Sequence, residues 1–150
     1  MPNRNVHLRA GAIAGAGYAA YHAWELPLVQ LLVETAGGAV GGAMGGALPD
    51  AIDLPTSPRH RAAAHSMGLT GTVGYFMNEQ LPEWQAGLRH QGQHYAQLRA
   101  ASPALLPRVS YGILEFLCYL LSGLFAGLLA GYASHLALDS LTPSSLPVLC

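Results

Sequence analysis

Glycine at every fourth position inside long apolar runs is the feature of this 150-residue chain that most restricts its fold. Gly37, Gly41 and Gly45 form one stripe, and Gly38, Gly42 and Gly46 form a second beside it. Gly123, Gly127 and Gly131 repeat the spacing, and Gly11 and Gly15 begin it nearer the N-terminus. Residues four apart share one face of an α-helix. Glycine costs a helix in water about 1 kcal/mol relative to alanine, so repeated stripes need a compensating gain. Close backbone approach supplies it, as in membrane helix pairs. Val40, Met44, Leu124, Phe125, Leu128 and Leu129 fill the intervening positions, which argues against a flexible glycine-rich linker.

The stripes lie in apolar segments at about residues 8–24, 27–48, 66–77 and 111–135. The second and fourth approach the roughly 20 residues that a spanning helix needs; the first and third are shorter. Charged residues make up 10% of the chain and hydrophobic residues 51%, whereas a soluble domain carries roughly 25% charged residues. These features predict one all-α domain over residues 1–150, a membrane bundle of about four helices running up and down. Residues 80–108 hold Glu83, Arg89, His90, His94, Arg99 and Arg108 with three prolines. They read as a polar extramembrane connection containing one amphipathic helix. The stretch after Arg4 and Arg9 is rich in Gly and Ala rather than Leu, so no cleavable signal peptide is expected.

A formal net charge of -1 gives no electrostatic footprint for nucleic acid. Cys118 lies in an apolar run and Cys150 far from it, so no disulfide framework is expected. Arg4, Arg9, Arg59 and Arg61 fall on one side of the up-down path, and the first hairpin tip opposite carries Glu25. The positive-inside bias puts the arginine side in the cytoplasm.

The informative polar residues gather on that same side. His7 precedes the first segment. The chain returns at Asp50, continues through Asp53, His60 and His65, leaves again, and comes back at His135 and Asp139. All three aspartates and four of the seven histidines therefore share one end of the bundle. His135 and Asp139 are one helical turn apart on a common face. Imidazole with carboxylate suits a divalent metal such as zinc, manganese or iron better than calcium. Such a metal lowers the pKa of bound water and polarises a phosphoryl or carbonyl oxygen. Charged residues near membrane helices are costly and tend to mark function. Elsewhere, His90 and His94 read as a solvated face, and His22 as part of an interfacial aromatic belt with Tyr18, Tyr21 and Trp24. Glu34 and Glu115, inside apolar runs, need a polar partner in the bundle or mark where those runs end.

The motifs Leu48-Pro49-Asp50-Ala51-Ile52-Asp53, His60-Arg61-Ala62-Ala63-Ala64-His65-Ser66 and Ser134-His135-Leu136-Ala137-Leu138-Asp139-Ser140-Leu141-Thr142-Pro143, preceded by His7, resemble the YdjM-like family. Its members are described as inner-membrane metal-dependent hydrolases. The order of motifs corresponds over nearly the whole chain, although the family usually has one residue between its two aspartates and this chain has Ala51 and Ile52. The resemblance extends to zinc-dependent phospholipases C and single-strand nucleases, which are all-helical and use His and Asp ligands. It implies a hydrolase of a bacterial-type inner membrane.

Together these readings give His7, Asp50, His60, His65, His135 and Asp139 as candidate metal ligands. Asp53 is a candidate base or second-metal ligand. Arg61 is a candidate phosphate holder through its planar fork. The expected activity is phosphoester hydrolysis, with membrane lipid as neighbour or substrate and zinc as the leading metal. The alternative is a structural or assembly protein of the membrane, in which the glycine stripes serve self-association.

Overall fold

A computed structural model describes residues 4–52 and 67–141. Their regular structure is entirely helical. Helix α1 spans Arg4–Ala23, α2 Leu28–Ile52, α3 Met67–Tyr75, α4 Leu81–Ala101 and α5 Leu105–Ser140. A π-helical turn, Phe76–Gln80, joins α3 to α4 without a break, so the described residues form four helical rods. The π turn lies directly before Pro82. Proline lacks an N–H and its ring collides with the carbonyl four residues back, and a widened turn relieves that collision. Between α4 and α5, Pro103 drives Ser102 into an extended conformation and ends the helix.

The glycine stripes set the packing. The face of α2 bearing Gly37, Gly41 and Gly45 lies on the backbone of α5 at Leu120, Leu124 and Leu128. The adjoining face, Gly38, Gly42 and Gly46, meets α1 at Gly15, Gly11 and His7. Gly123, Gly127 and Gly131 of α5 meet α2 at Glu34, Gly38 and Gly42. A Cβ on Gly15 would stand 2.7 Å from Gly42 Cα and 3.0 Å from Gly127 Cα. Three backbones therefore touch there, and no side chain fits between them. The stripes are filled by the chain's own helices. The pairing order makes α1 and α2 antiparallel and α2 and α5 parallel, as an up-down path requires.

The segment expected to be a polar connection is largely α4, which lies antiparallel along α5. Gly92 packs on the Tyr119 ring, and Trp84 approaches the Phe125 ring at 6.0 Å. The charges of α4 are matched to those in the apolar helices. Arg89 holds Glu34 with two bonds of 2.8 and 2.7 Å, and the Glu34 side chain is fully buried. Arg99 reaches Glu115 at 3.2 Å, and Gln30 donates to the same carboxylate at 3.3 Å. The apolar runs thus continue past Glu34 and Glu115 because each acid has its cation on a neighbouring helix.

Beside a small apolar core that includes Leu81, Tyr119 and Leu136, the interior holds many polar groups and the outer surface many apolar ones. His7, Glu34, Gln85, Glu115, Ser122, His135 and Asp139 are buried. Large apolar side chains face outward on α2 (Leu28, Leu32, Val40, Met44) and α5 (Leu106, Ile113, Phe116, Leu121). Helices α2 and α5 are long and apolar enough to cross a membrane. Only 39% of the most apolar window of each is buried within the chain, whereas the core helix of a soluble protein is mostly covered.

Candidate metal centre

Three helices bring the site together at one end of the bundle. His7 lies one turn into α1, inside the helix rather than before it. His135 and Asp139 project from the last turns of α5. Asp50 lies at the end of α2. The close α1–α2–α5 packing at the glycines is what lets short side chains from these helices converge.

The separations are informative. His7 Nε2 lies 3.5 Å from Asp139 Oδ1, and His135 Nε2 lies 3.5 Å from Asp139 Oδ2. Asp50 Oδ1 is 3.6 Å from His135 Nε2. These contacts are longer than the 2.7–3.2 Å of good N–H···O bonds. Ligand atoms bound tetrahedrally at about 2.0–2.2 Å stand about 3.3–3.6 Å from one another. His7, His135 and Asp139 thus form a buried group with one ligand atom each, all within 4.8 Å of one another, that could hold a metal ion.

The orientation of His135 favours this use. Its Nδ1–H donates to the Gly46 carbonyl at 2.6 Å. That bond turns the ring so that Nε2 faces Asp50 and Asp139. A backbone carbonyl on the far ring nitrogen is the usual outer support of a ligating histidine. Gly46 also meets the α1 backbone at His7 and Gly11, so the same residue that supports His135 brings His7 close to it. The His7 ring stacks on His135 with centroids 3.9 Å apart and an interplanar angle of 24°, which restricts both rings.

Burial separates the acids. The side chains of His7, His135 and Asp139 are at most 2% exposed, whereas that of Asp50 is 37% exposed. Three groups thus form the closed floor of the site, and Asp50 stands at its open edge.

No protein-family model, curated protein or solved structure matches this chain.

Of the residues singled out in the sequence, the fold gathers His7, His135 and Asp139, with Asp50 beside them. Asp53, His60, Arg61 and His65 lie outside the described residues. His90 and His94 are exposed on α4, away from the cluster. His22 packs against Tyr18 and Tyr21, with ring centroids at 4.5 and 5.4 Å. The Gly46 carbonyl was not anticipated, because a backbone acceptor has no residue-type signature.

Proposed function

We propose that this chain is a membrane-embedded, divalent-metal-dependent hydrolase of the YdjM-like kind, acting on a phosphoester at the cytoplasmic edge of a bacterial-type inner membrane. The observation that carries the reading is the buried His7, His135 and Asp139 group with His135 held by Gly46, at separations that suit a shared cation. The buried polar groups, the outward-facing apolar side chains and the two long apolar helices support the membrane setting. Zinc is the leading metal for a mixed imidazole and carboxylate set; bound there, it would supply an acidified water and a Lewis acid for the phosphoryl oxygen.

The chain's own groups then divide the work. His7, His135 and Asp139 would hold the ion away from bulk water. Asp50, about a third exposed at the edge, would complete the set or act as general base. By the family resemblance, Asp53 would be a second base or second-metal ligand, His60 and His65 additional ligands, and Arg61 the phosphate holder. A lipid phosphoester is the natural substrate for a site at a membrane edge.

The test is hydrolysis of a chromogenic phosphodiester and of phospholipid in mixed micelles by detergent-purified protein. Activity should vanish on chelation, return with zinc, and be lost in His135→Ala and Asp139→Ala. Undiminished hydrolysis in both variants would reject the assignment. Stoichiometric metal with no turnover on either substrate would favour the structural or assembly role.

A further inference from the structure

A second polar centre lies at the other end of the bundle, where the proposed chemistry uses nothing. Glu115 and His135 stand about 30 Å apart along α5 at 1.5 Å per residue, close to the thickness of a bilayer's hydrocarbon core. A cavity of about 190 Å³ opens beside Glu115, between α2, α4 and α5. Val29, Val33 and Phe116 make its apolar wall, and Gln30, Arg99 and Glu115 make its polar end. Val29 is largely exposed and Phe116 half exposed, so the cavity opens on the apolar outer surface rather than into the bundle.

We infer that this cavity is a lateral binding site for an anionic phospholipid, with the phosphate on Arg99 and the start of one acyl chain along Val29, Val33 and Phe116. The inference rests on the membrane setting proposed above and not on the hydrolase chemistry. Charge and depth carry it. Arg99 lies in the last turn of α4, and its side chain is half exposed. The ion pair with Glu115 keeps the guanidinium at the mouth through one amino group of a five-donor fork. The remaining donors suit a phosphate, which arginine binds through paired N–H groups. Glu115 is already matched by Gln30 and Arg99, and Arg108 stands one turn from Gly112 on the same helix. The depth is that of headgroups: Tyr21 and Trp24 are exposed at this end of α1, and Tyr95 and Tyr111 stack at 6.4 Å between α4 and α5. Aromatic rings of this kind mark the membrane–water interface.

Gly112 provides a selective way to close the site. Unlike the stripe glycines, it faces only the Arg99 side chain, with a Cβ 3.5 Å from Arg99 Cδ. A larger side chain there fills the cavity without pressing on backbone.

The experiment is native mass spectrometry of protein released from nanodiscs containing equal phosphatidylglycerol and phosphatidylcholine. Wild type should retain one phosphatidylglycerol in preference to phosphatidylcholine. In Arg99→Gln that retention should fall about tenfold, the loss of one charge-assisted phosphate contact. In Gly112→Leu both lipids should be lost from the site, whereas Arg4→Gln at the opposite end should leave retention unchanged. Equal retention in wild type, Arg99→Gln and Gly112→Leu overturns the lipid site. Circular dichroism of each variant checks that it is folded. Wild type that stays in the aqueous phase without detergent, and enters no nanodisc, overturns the membrane setting instead.

Discussion

Replacing Gly42 by alanine adds one methyl group and should weaken both the fold and the site. A Cβ there would overlap the Gly11 carbonyl oxygen and stand 2.9 Å from Gly11 C and Gly15 Cα. Ordinary contact needs about 3.5–4.0 Å, so α1 and α2 must separate by roughly 1 Å. Helix α5 lies directly behind: a Cβ on Gly131 would stand 2.7 Å from Gly42 Cα. Helix α2 therefore has no room to retreat, and α1 must move. Overpacking of this kind costs about 1–3 kcal/mol, offset by up to about 1 kcal/mol of helix propensity. The net loss is about 1–2 kcal/mol, or roughly 2–8 °C in Tm for a chain of this size. Because His7 rides on α1, the same movement draws its Nε2 away from Asp139. Zinc should then raise the Tm of Gly42→Ala less than that of wild type. The assay is thermal unfolding in detergent, with and without zinc. The control is Gly17→Ala, where nothing lies within 4 Å of the new Cβ and Tm should hold or rise. Equal Tm shifts for the two alanine variants would refute glycine-mediated packing as the basis of the bundle.

Further outcomes follow from the charge pairs and the exposed surface. Arg89→Ala leaves Glu34 buried without its partner and should cost about 3–5 kcal/mol; Arg89→Leu combined with Glu34→Leu should recover much of that, as denaturant unfolding would show. Zinc at one hundred times its Kd should stabilise wild type by about 2.7 kcal/mol, and His7→Ala should abolish the gain in a thermal-shift series. Expressed protein should stay with membranes through an alkaline wash, and release into the supernatant would contradict the role given to the outward-facing leucines of α2 and α5.

The glycine stripes were legible because their period is that of the helix, and each stripe names the face that must be covered. Which neighbour covers it was not legible, since Gly37 and Gly38 turn to different helices although they are adjacent in sequence. Helices extend beyond their apolar runs. The apolar segment at 111–135 belongs to a helix of Leu105–Ser140, because Arg108 and Ser110 interrupt hydropathy without interrupting hydrogen bonding. Residues 80–108 carry the one helix expected of them, α4, but their polarity did not reveal that Arg89 and Arg99 answer Glu34 and Glu115 on other helices. A window along one segment cannot register a partner on another. Two acids in apolar runs and two arginines in the next helix were the available clue. The His/Asp group was legible from chain path alone: in an up-down bundle the start of α1, the end of α2 and the end of α5 must share one end.

The most direct test of the account is metal content. Detergent-purified wild type, measured by inductively coupled plasma mass spectrometry after extensive dialysis, should carry stoichiometric divalent metal, with zinc the leading candidate. His135→Ala and Asp139→Ala, each checked for native helicity, should carry little. Stoichiometric metal retained in both variants would contradict the site, and so would a folded wild type that takes up none when zinc is supplied.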